Sequence, residues 1–394
     1  MEVIAVLSKI KIENFRSFKE STTIDFTATK YTTLKDTNVE NNLVKGCLFI
    51  GANASGKTNV INAISVLLDL LFTNAVIDIG VNFCVFSKAP EMKLNYTFIE
   101  GNDEIQYFIG FDRSGIITKE QLLLNNEVVL DRIGLNAETK LTDNQYYNKE
   151  DIEERTLFLK SIYFNTKFTN FPTLKKWFEF LSNSVYFNAE RSQVLAGQAL
   201  SFNVNNKVQL KEYLDLYGVE HINKFFDYFG FNQRIAYQSS QKLSEYVTAE
   251  NILGNKDVFM KRNDMEIWLP IAFESMGNKT LLSMLPGLLH VVECGGMFIV
   301  DEFSSAFHNE LEELIIHYFM RNAKNAQMFF VSHSTNLLKN TLLRPDQIYT
   351  VSFYDNNGSK VKRVSSEQPR ESQNLEKMYL GGVFGGLPKY KTEG

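Results

Sequence analysis

The chain has 394 residues, 44% of them hydrophobic and 22% charged, which supplies a sizeable core and excludes a disordered chain. A net charge of -5, with both signs mixed along the length, gives no global field for nucleic acid or an anionic membrane, although a local basic groove for nucleic acid stays open. The three cysteines, Cys47, Cys84 and Cys294, are widely spaced in apolar surroundings, Met1 to Ile12 has no signal-peptide core, and Leu281 to Val300 is broken by Pro286, His290 and Glu293; the expectation is a soluble, cytoplasmic protein that does not cross a membrane.

Alternation over Ser8–Phe15, with Ile10 and Ile12 on one face, and again over Thr22–Phe26 predicts two strands, with Asn14-Phe15-Arg16-Ser17-Phe18 between them. The apolar run Cys47–Ile50 predicts a strand and Val60–Leu70 a helix. Between them stands Gly51-Ala52-Asn53-Ala54-Ser55-Gly56-Lys57-Thr58, in the order strand, loop, helix. Glycines there let the backbone turn so that successive N–H groups converge on phosphate oxygens. Lys57 can reach the β- and γ-phosphates of a nucleotide, Thr58 can place its hydroxyl on Mg²⁺, and the helix start adds about half a positive charge. Gly51, Asn53, Ser55, Gly56, Lys57, Thr58 and Asn59 form the expected ATP-binding set.

Further along, Lys93–Ile99 and Ile105–Phe111 predict a strand pair turning at Gly101-Asn102-Asp103, part of an antiparallel sheet beside the nucleotide. Asp131–Thr156 reads as a surface loop. Helical spacing over Thr173–Val185 and Lys207–Phe229 predicts a helical insertion over 164–259, between lobes at 1–163 and 260–394; no heptads are sustained, which excludes a long coiled-coil arm. The C-terminal lobe alternates: strand Glu266–Phe273, helix Lys279–Val292, strand Gly296–Val300, helix Asn309–Met320, strand Gln327–Val331, helix Thr335–Leu343, strand Gln347–Phe353, then a hairpin into Lys360–Val364. Buried strands alternating with helices predict an α/β fold with a mostly parallel sheet, and the Gly51 loop at its C-terminal edge.

Met297–Glu302 is an apolar strand ending in two acids. Asp301 at the tip can hold Mg²⁺, and Glu302, ionised at neutral pH, can polarise a water aimed at the γ-phosphate. Phe329–His333 is a second such strand, ending in an imidazole that is either a cap or a γ-phosphate sensor; the order loop, acid pair, histidine favours the sensor. Ser275 and the Gly277 N–H, at a helix start, form either an ordinary cap or a second anion-binding corner. If that corner serves a second copy, ATP is sandwiched in a homodimer.

In order, Gly51–Thr58, Glu274–Gly277, Asp301–Glu302 and His333 resemble the Walker A, signature, Walker B and switch-histidine motifs of the ABC-type ATPase superfamily, which includes SMC-like proteins. Asn14–Phe18, Asp301-Glu302 followed by Phe307-His308, His333–Leu338, Arg344–Gln347 and the ending Tyr379–Pro388 look like the compact RloA/AbiL-type ATPases, a group that also resembles AriA of the PARIS system. That resemblance implies an ABC-type ATPase head with an antiparallel N-terminal β-subdomain. It also implies an ATPase subunit of an anti-phage, abortive-infection system, paired with a Toprim-like nuclease effector of the RloB or AriB kind; an SMC-like repair ATPase clamping DNA is the alternative. By position, Lys57, Glu302 and His333 would be catalytic, Thr58 and Asp301 would hold the metal, Ser275 and Gly277 would act across the dimer, and Arg16 would face the nucleotide or be a solvated turn residue. His308 would sit where subunits meet, or cap a helix. The chain departs from the group at Asn278, where many relatives have Thr, and at Ala306, often Ser; Gln106 and Gln121 are the candidates for a Q-loop glutamine.

Overall fold

A computed structural model describes residues 6–73, 78–142, 147–149, 151–189, 200–202, 205–239, 256–305 and 307–388. Two large sheets organise them. The first has seven strands in the order Leu200–Ser201, Val185–Asn188, Gly296–Asp301, Ala326–Val331, Gly46–Ile50, Ile348–Phe353 and Ser359–Arg363. The five inner strands run parallel and the two outermost antiparallel. Gly46–Ile50, Gly296–Asp301 and Ala326–Val331 are buried at every residue, as expected of strands covered on both faces, and this is why they read as unbroken apolar runs. Val331 pairs with Phe49, Val300 with Phe330 and Asn188 with Asp301, so the loops after Ile50, Asp301 and Val331 leave from one edge side by side.

The second sheet has eight antiparallel strands: Tyr147–Lys149, Asn136–Thr139, Glu127–Ile133, Ile117–Leu124, Asp103–Asp112, Glu91–Glu100, Val6–Glu13 and Thr22–Asp25. Glu91–Glu100 alternates buried and half-buried residues along its whole length. The helix Lys57–Phe72 shares a hydrophobic core with this sheet and with one face of the parallel sheet, and Tyr96 Oη donates to Ala63 O at 2.6 Å. Opposite it, the helices Met276–Cys294 and Asn309–Asn322 cover the other face of the parallel sheet with a second core. The mostly parallel core and the antiparallel subdomain are thus both present.

Several elements differ from expectation. The supposed surface loop 131–156 holds the end of the strand Glu127–Ile133 and two short strands, Asn136–Thr139 and Tyr147–Lys149; buried Arg132 donates to the carbonyls of Gly134, Glu153 and Thr156 and lies 3.8 Å from buried Glu120. The exposed Asn136 and Glu138, alternating with buried Ala137 and Thr139, made the stretch look like a polar surface segment. The segment expected to be helical has the helices Pro172–Ser182, Leu210–Tyr217 and Glu220–Tyr228, the second ending at Gly218 with φ +68°. It also has strands: Val185–Asn188 in the parallel sheet and Arg234–Ser239 paired with Lys256–Lys261. Residues 240–255 of that segment, and Ala306, lie outside the described residues. The strand expected over Glu266–Phe273 shrinks to Leu269–Pro270, since proline has no N–H for a ladder. Thr335–Leu343 makes only a short 3-10 turn at Thr335–Leu337, because Pro345 holds Arg344 extended and the leucines bury as turns.

Candidate functional site

The loop after Ile50 is shaped by steric necessity. A Cβ on Gly51 would overlap the Val351 carbonyl, and one on Gly56, at φ +99°, would overlap the hydroxyls of Ser17 and Ser359. Ala54 also takes a left-handed conformation, at φ +58°. Ala52 N donates to Gly386 O at 2.8 Å, Gly386 N donates to Ser352 Oγ at 2.9 Å, and Tyr379 Oη donates to Gly386 O at 3.2 Å. The glycine-rich ending is therefore the back wall of this loop.

Asn14–Phe18 closes the loop from the other side. Ser17 Oγ accepts from Asn59 Nδ2 at 2.7 Å and lies 2.8 Å from Ser359 Oγ, which donates to Ser55 O at 2.6 Å. The Asn59 side chain is thus engaged in bracing while it lines, with Asn53 and Ser55, the open pocket over the loop; buried Ser55 Oγ has no hydrogen-bond partner. Arg16, at φ +50°, donates from Nε to Asn82 Oδ1 at 2.8 Å, and its guanidinium is 5.8 Å from the Phe15 ring centre; burial lowers its proton affinity. It stands beside Ser17 but does not line the pocket.

Lys57, the first residue of its helix, donates to Gly51 O at 3.0 Å and Ala52 O at 2.8 Å. Burial lowers its pKa to about 8, against the upward pull of the Glu302 and Asp301 carboxylates. Thr58 Oγ1 donates to Asp301 Oδ1 at 3.1 Å, while Asn188 Nδ2 donates to Oδ2 at 3.2 Å and Tyr186 Oη reaches it at 3.5 Å. Burial raises the Asp301 pKa, partly countered by the Thr58 bond. Tyr186 and Asn188 escaped the sequence reading because they fell in the expected helical insertion over 164–259, just after the helical spacing that ended at Val185; the alternation over Val185–Asn188 was the only signal.

Glu302 sits at φ +54°, a strained setting for a carboxylate residue, fixed by Ser305 N and Oγ donating to its carbonyl at 3.0 and 2.8 Å. Its Oε2 lies 3.8 Å from His333 Nε2, and His333 N donates to Ser304 Oγ at 3.0 Å. Burial, with the Lys57 charge second, lowers the His333 pKa and so favours the neutral imidazole. Lys57, Thr58, Glu302 and His333 thus line one pocket, with Asp301 bonded to Thr58.

The Ser275 corner is elsewhere. Ser275 caps the Met276–Cys294 helix, its Oγ accepting from Asn278 N at 3.3 Å, and Glu274 accepts from Asn278 Nδ2 and from Arg262. Neither Ser275 nor Gly277 lines the pocket over the Gly51 loop. Phe273 beside it is 78% exposed and Met276 46%. His308 caps Asn309–Asn322, its Nδ1 accepting from Glu310 N at 3.5 Å. Gln106 and Gln121 donate to Glu104 and Asp131 within the antiparallel sheet.

These residues fit ATP and Mg²⁺. The cradle is one that a Cβ would fill, an ammonium faces it, and a hydroxyl and a carboxylate meet beside it. Among the described residues no group of three or more His, Cys, Asp or Glu is placed to hold a metal ion by itself. Bound there, Mg²⁺ would neutralise charge on the phosphate oxygens. Among the described residues no helix is long and apolar enough to cross a membrane.

Solved structures resemble the fold at low identity. The head of SMC bound to the C-winged helix domain of ScpA superposes with a TM-score of 0.52 at 14% identity, over 90% of this chain and 96% of that one. The SMC head domain from Thermotoga maritima gives 0.49 at 15% identity over 90% and 97%. The SMC head with an extended coiled coil bound to the C-terminal domain of ScpA, derived from Pyrococcus furiosus, gives 0.49 at 13% over 91% and 96%. The likeness is one of fold. No curated protein matches the chain. The family profile described as "AAA domain, putative AbiEii toxin, Type IV TA system" matches residues 48–339, from the strand that launches the phosphate loop to just past His333, and the chain belongs to that family.

Proposed function

We propose that this protein is an ATPase that works as a nucleotide-gated clamp: ATP binds at Gly51–Thr58, and hydrolysis requires a second copy to present Ser275 and Gly277 to it. One observation carries this reading. Lys57, Thr58, Glu302 and His333 converge on one pocket, whereas Ser275 and Gly277 take no part in its wall and lie at a helix start flanked by exposed Phe273 and Met276. Membership of an AAA family implies ATP and Mg²⁺. In this scheme Lys57 binds phosphate, Thr58 and Asp301 hold the metal, Glu302 orients and deprotonates the attacking water, and neutral His333 donates to or accepts from the γ-phosphate region. Arg16, bonded to Asn82 beside the loop and outside the pocket wall, would have to swing inward to meet the nucleotide.

Two settings suit such a clamp. The likeness to an SMC head favours an ATPase that closes on DNA, the reading we place first. The toxin–antitoxin description of the family favours a RloA/AbiL-like defence ATPase that controls a Toprim-like nuclease. Mass measurement of Glu302→Gln with and without ATP tests the clamp, the expected result being a dimer that needs ATP. An ATP-dependent, salt-sensitive shift of duplex DNA supports the first setting; its absence, with a nuclease co-purifying, supports the second.

A further inference from the structure

The helix Asn309–Asn322 begins directly behind the loop that follows Asp301-Glu302. The helix packs against the 3-10 turns Phe303–Ser305 and Thr335–Leu337, the flanks of the Glu302 and His333 loops. On this helix Glu312 is wholly buried, and neither carboxyl oxygen has a hydrogen-bond partner. A carboxylate there, one turn past a helix start, is an expensive choice for mere packing, which leucine would do better. The polar group that faces it is the Ser334 hydroxyl, next to His333, which donates to Asn309 Oδ1 at the long distance of 3.5 Å.

We propose that Glu312 is a positioning residue whose protonation state sets the His333–Ser334 loop against Glu302. With the proton on, the carboxyl O–H donates to Ser334 Oγ, and Ser334 keeps its own bond to Asn309. With the proton lost to solvent, Glu312 only accepts; the Ser334 hydroxyl turns to it, releases Asn309, and draws the loop inward, taking His333 from Glu302. The protonated arrangement makes two neutral hydrogen bonds at Ser334 and the deprotonated one makes a single bond to a carboxylate, about twice as strong as a neutral one, so the gap between them is small enough for one proton to bias.

Glu312 has titratable neighbours on its own helix, the cap residue His308 and the side chains Glu310 and His317. Burial raises the Glu312 pKa to about 7, with Ser334 opposing and the neighbouring Glu313 adding to the rise; Glu313 is itself paired with Lys339 at 2.6 Å. The turns 303–305 and 335–337 bring no titratable side chain, and Glu376 on the C-terminal helix is bonded to Thr335 at 2.7 Å. The other packed elements carry Lys279, His290 and Glu293 on Met276–Cys294, and Lys35 and Asp36 on Lys35–Asn38.

The proposal rests on the ATPase reading for its consequence but not for its test. Hydrogen exchange of the peptide over 332–338, corrected for intrinsic rate, is followed from pH 5.5 to 8.5 without nucleotide. Wild type is expected to change protection by several-fold with a midpoint near 7, and Glu312→Gln to stay flat. Where turnover is measurable, kcat should show the same step in wild type alone, with KM unchanged. Ser334→Ala, which removes the responding hydroxyl, should also abolish the step, and stands in if Glu312→Gln does not fold. A step that persists in both variants, or none in wild type, overturns the role of Glu312. A step in exchange with no ATP turnover at any pH leaves Glu312 in place and removes the ATPase reading instead.

Discussion

Lys57 is an ammonium that burial has brought to the edge of neutrality, and this makes ATP binding dependent on pH in a calculable way. The free site has a Lys57 pKa of about 8, and a bound triphosphate stabilises the charged form, raising that pKa. Above about pH 8 the free site must therefore take up a proton before it binds, and the dissociation constant should rise by a factor of roughly one plus ten to the power of pH minus 8. Between pH 7 and pH 9 this amounts to about tenfold, or ~1.4 kcal/mol. Titration calorimetry with Mg·ATP at pH 8, in two buffers of different ionisation enthalpy, should reveal uptake of about half a proton per site. Lys57→Met should weaken binding by one to two orders of magnitude, the loss of a charge-assisted hydrogen bond worth about 1.5–3 kcal/mol, and should abolish the uptake. Release of a proton, or an affinity that stays flat from pH 7.5 to 9.5 in wild type, would refute the reasoning.

Phe273→Asp and Ser275→Arg should leave ATP binding by the single chain intact while preventing ATP-driven dimerisation of a Glu302→Gln background; loss of binding itself would mean that this corner supports its own subunit's fold. Asp346→Ala removes one side of a buried bidentate pair with Arg344, at 2.9 and 2.8 Å, and leaves an uncompensated guanidinium. It should lower the unfolding free energy in urea by about 3–5 kcal/mol, and a cost under about 1 kcal/mol would show that the Tyr31 and Thr33 carbonyls alone satisfy Arg344. Glu312 binds its proton more tightly folded than unfolded, so its contribution is complete below about pH 4.5 and is lost as pH rises to about 7. Glu312→Gln should therefore be more stable than wild type at pH 8, by on the order of 2 kcal/mol, with the difference shrinking toward pH 5; equal denaturation midpoints at pH 8 would contradict the burial of a charge there.

The phosphate loop and the acidic strand end were legible because their chemistry is local: glycine spacing, a following lysine and threonine, and apolar runs buried on both sides. The antiparallel strand pair at Lys93–Phe111 was legible for the same reason, alternation along a half-buried face. Tyr186 and Asn188 were not, since an alternation of only four residues beside a helical pattern is too short to stand out, and only tertiary placement against Asp301 gives those side chains a role. Arg132 and Glu120 were hidden similarly: a buried ion pair looks like two surface charges until the strands around it are paired. That the glycine-rich ending braces Ala52 depends on contacts between distant parts of the chain.

That bracing has a consequence for how the protein is made. Gly51 and Ala52 emerge early from the ribosome, yet the carbonyl that steadies Ala52 belongs to Gly386, and Ser352 and Tyr379, which hold Gly386, also come late. We expect a nascent chain stalled before this ending to bind nucleotide poorly even with its parallel strands complete, so that competence is switched on only as translation nears Gly386.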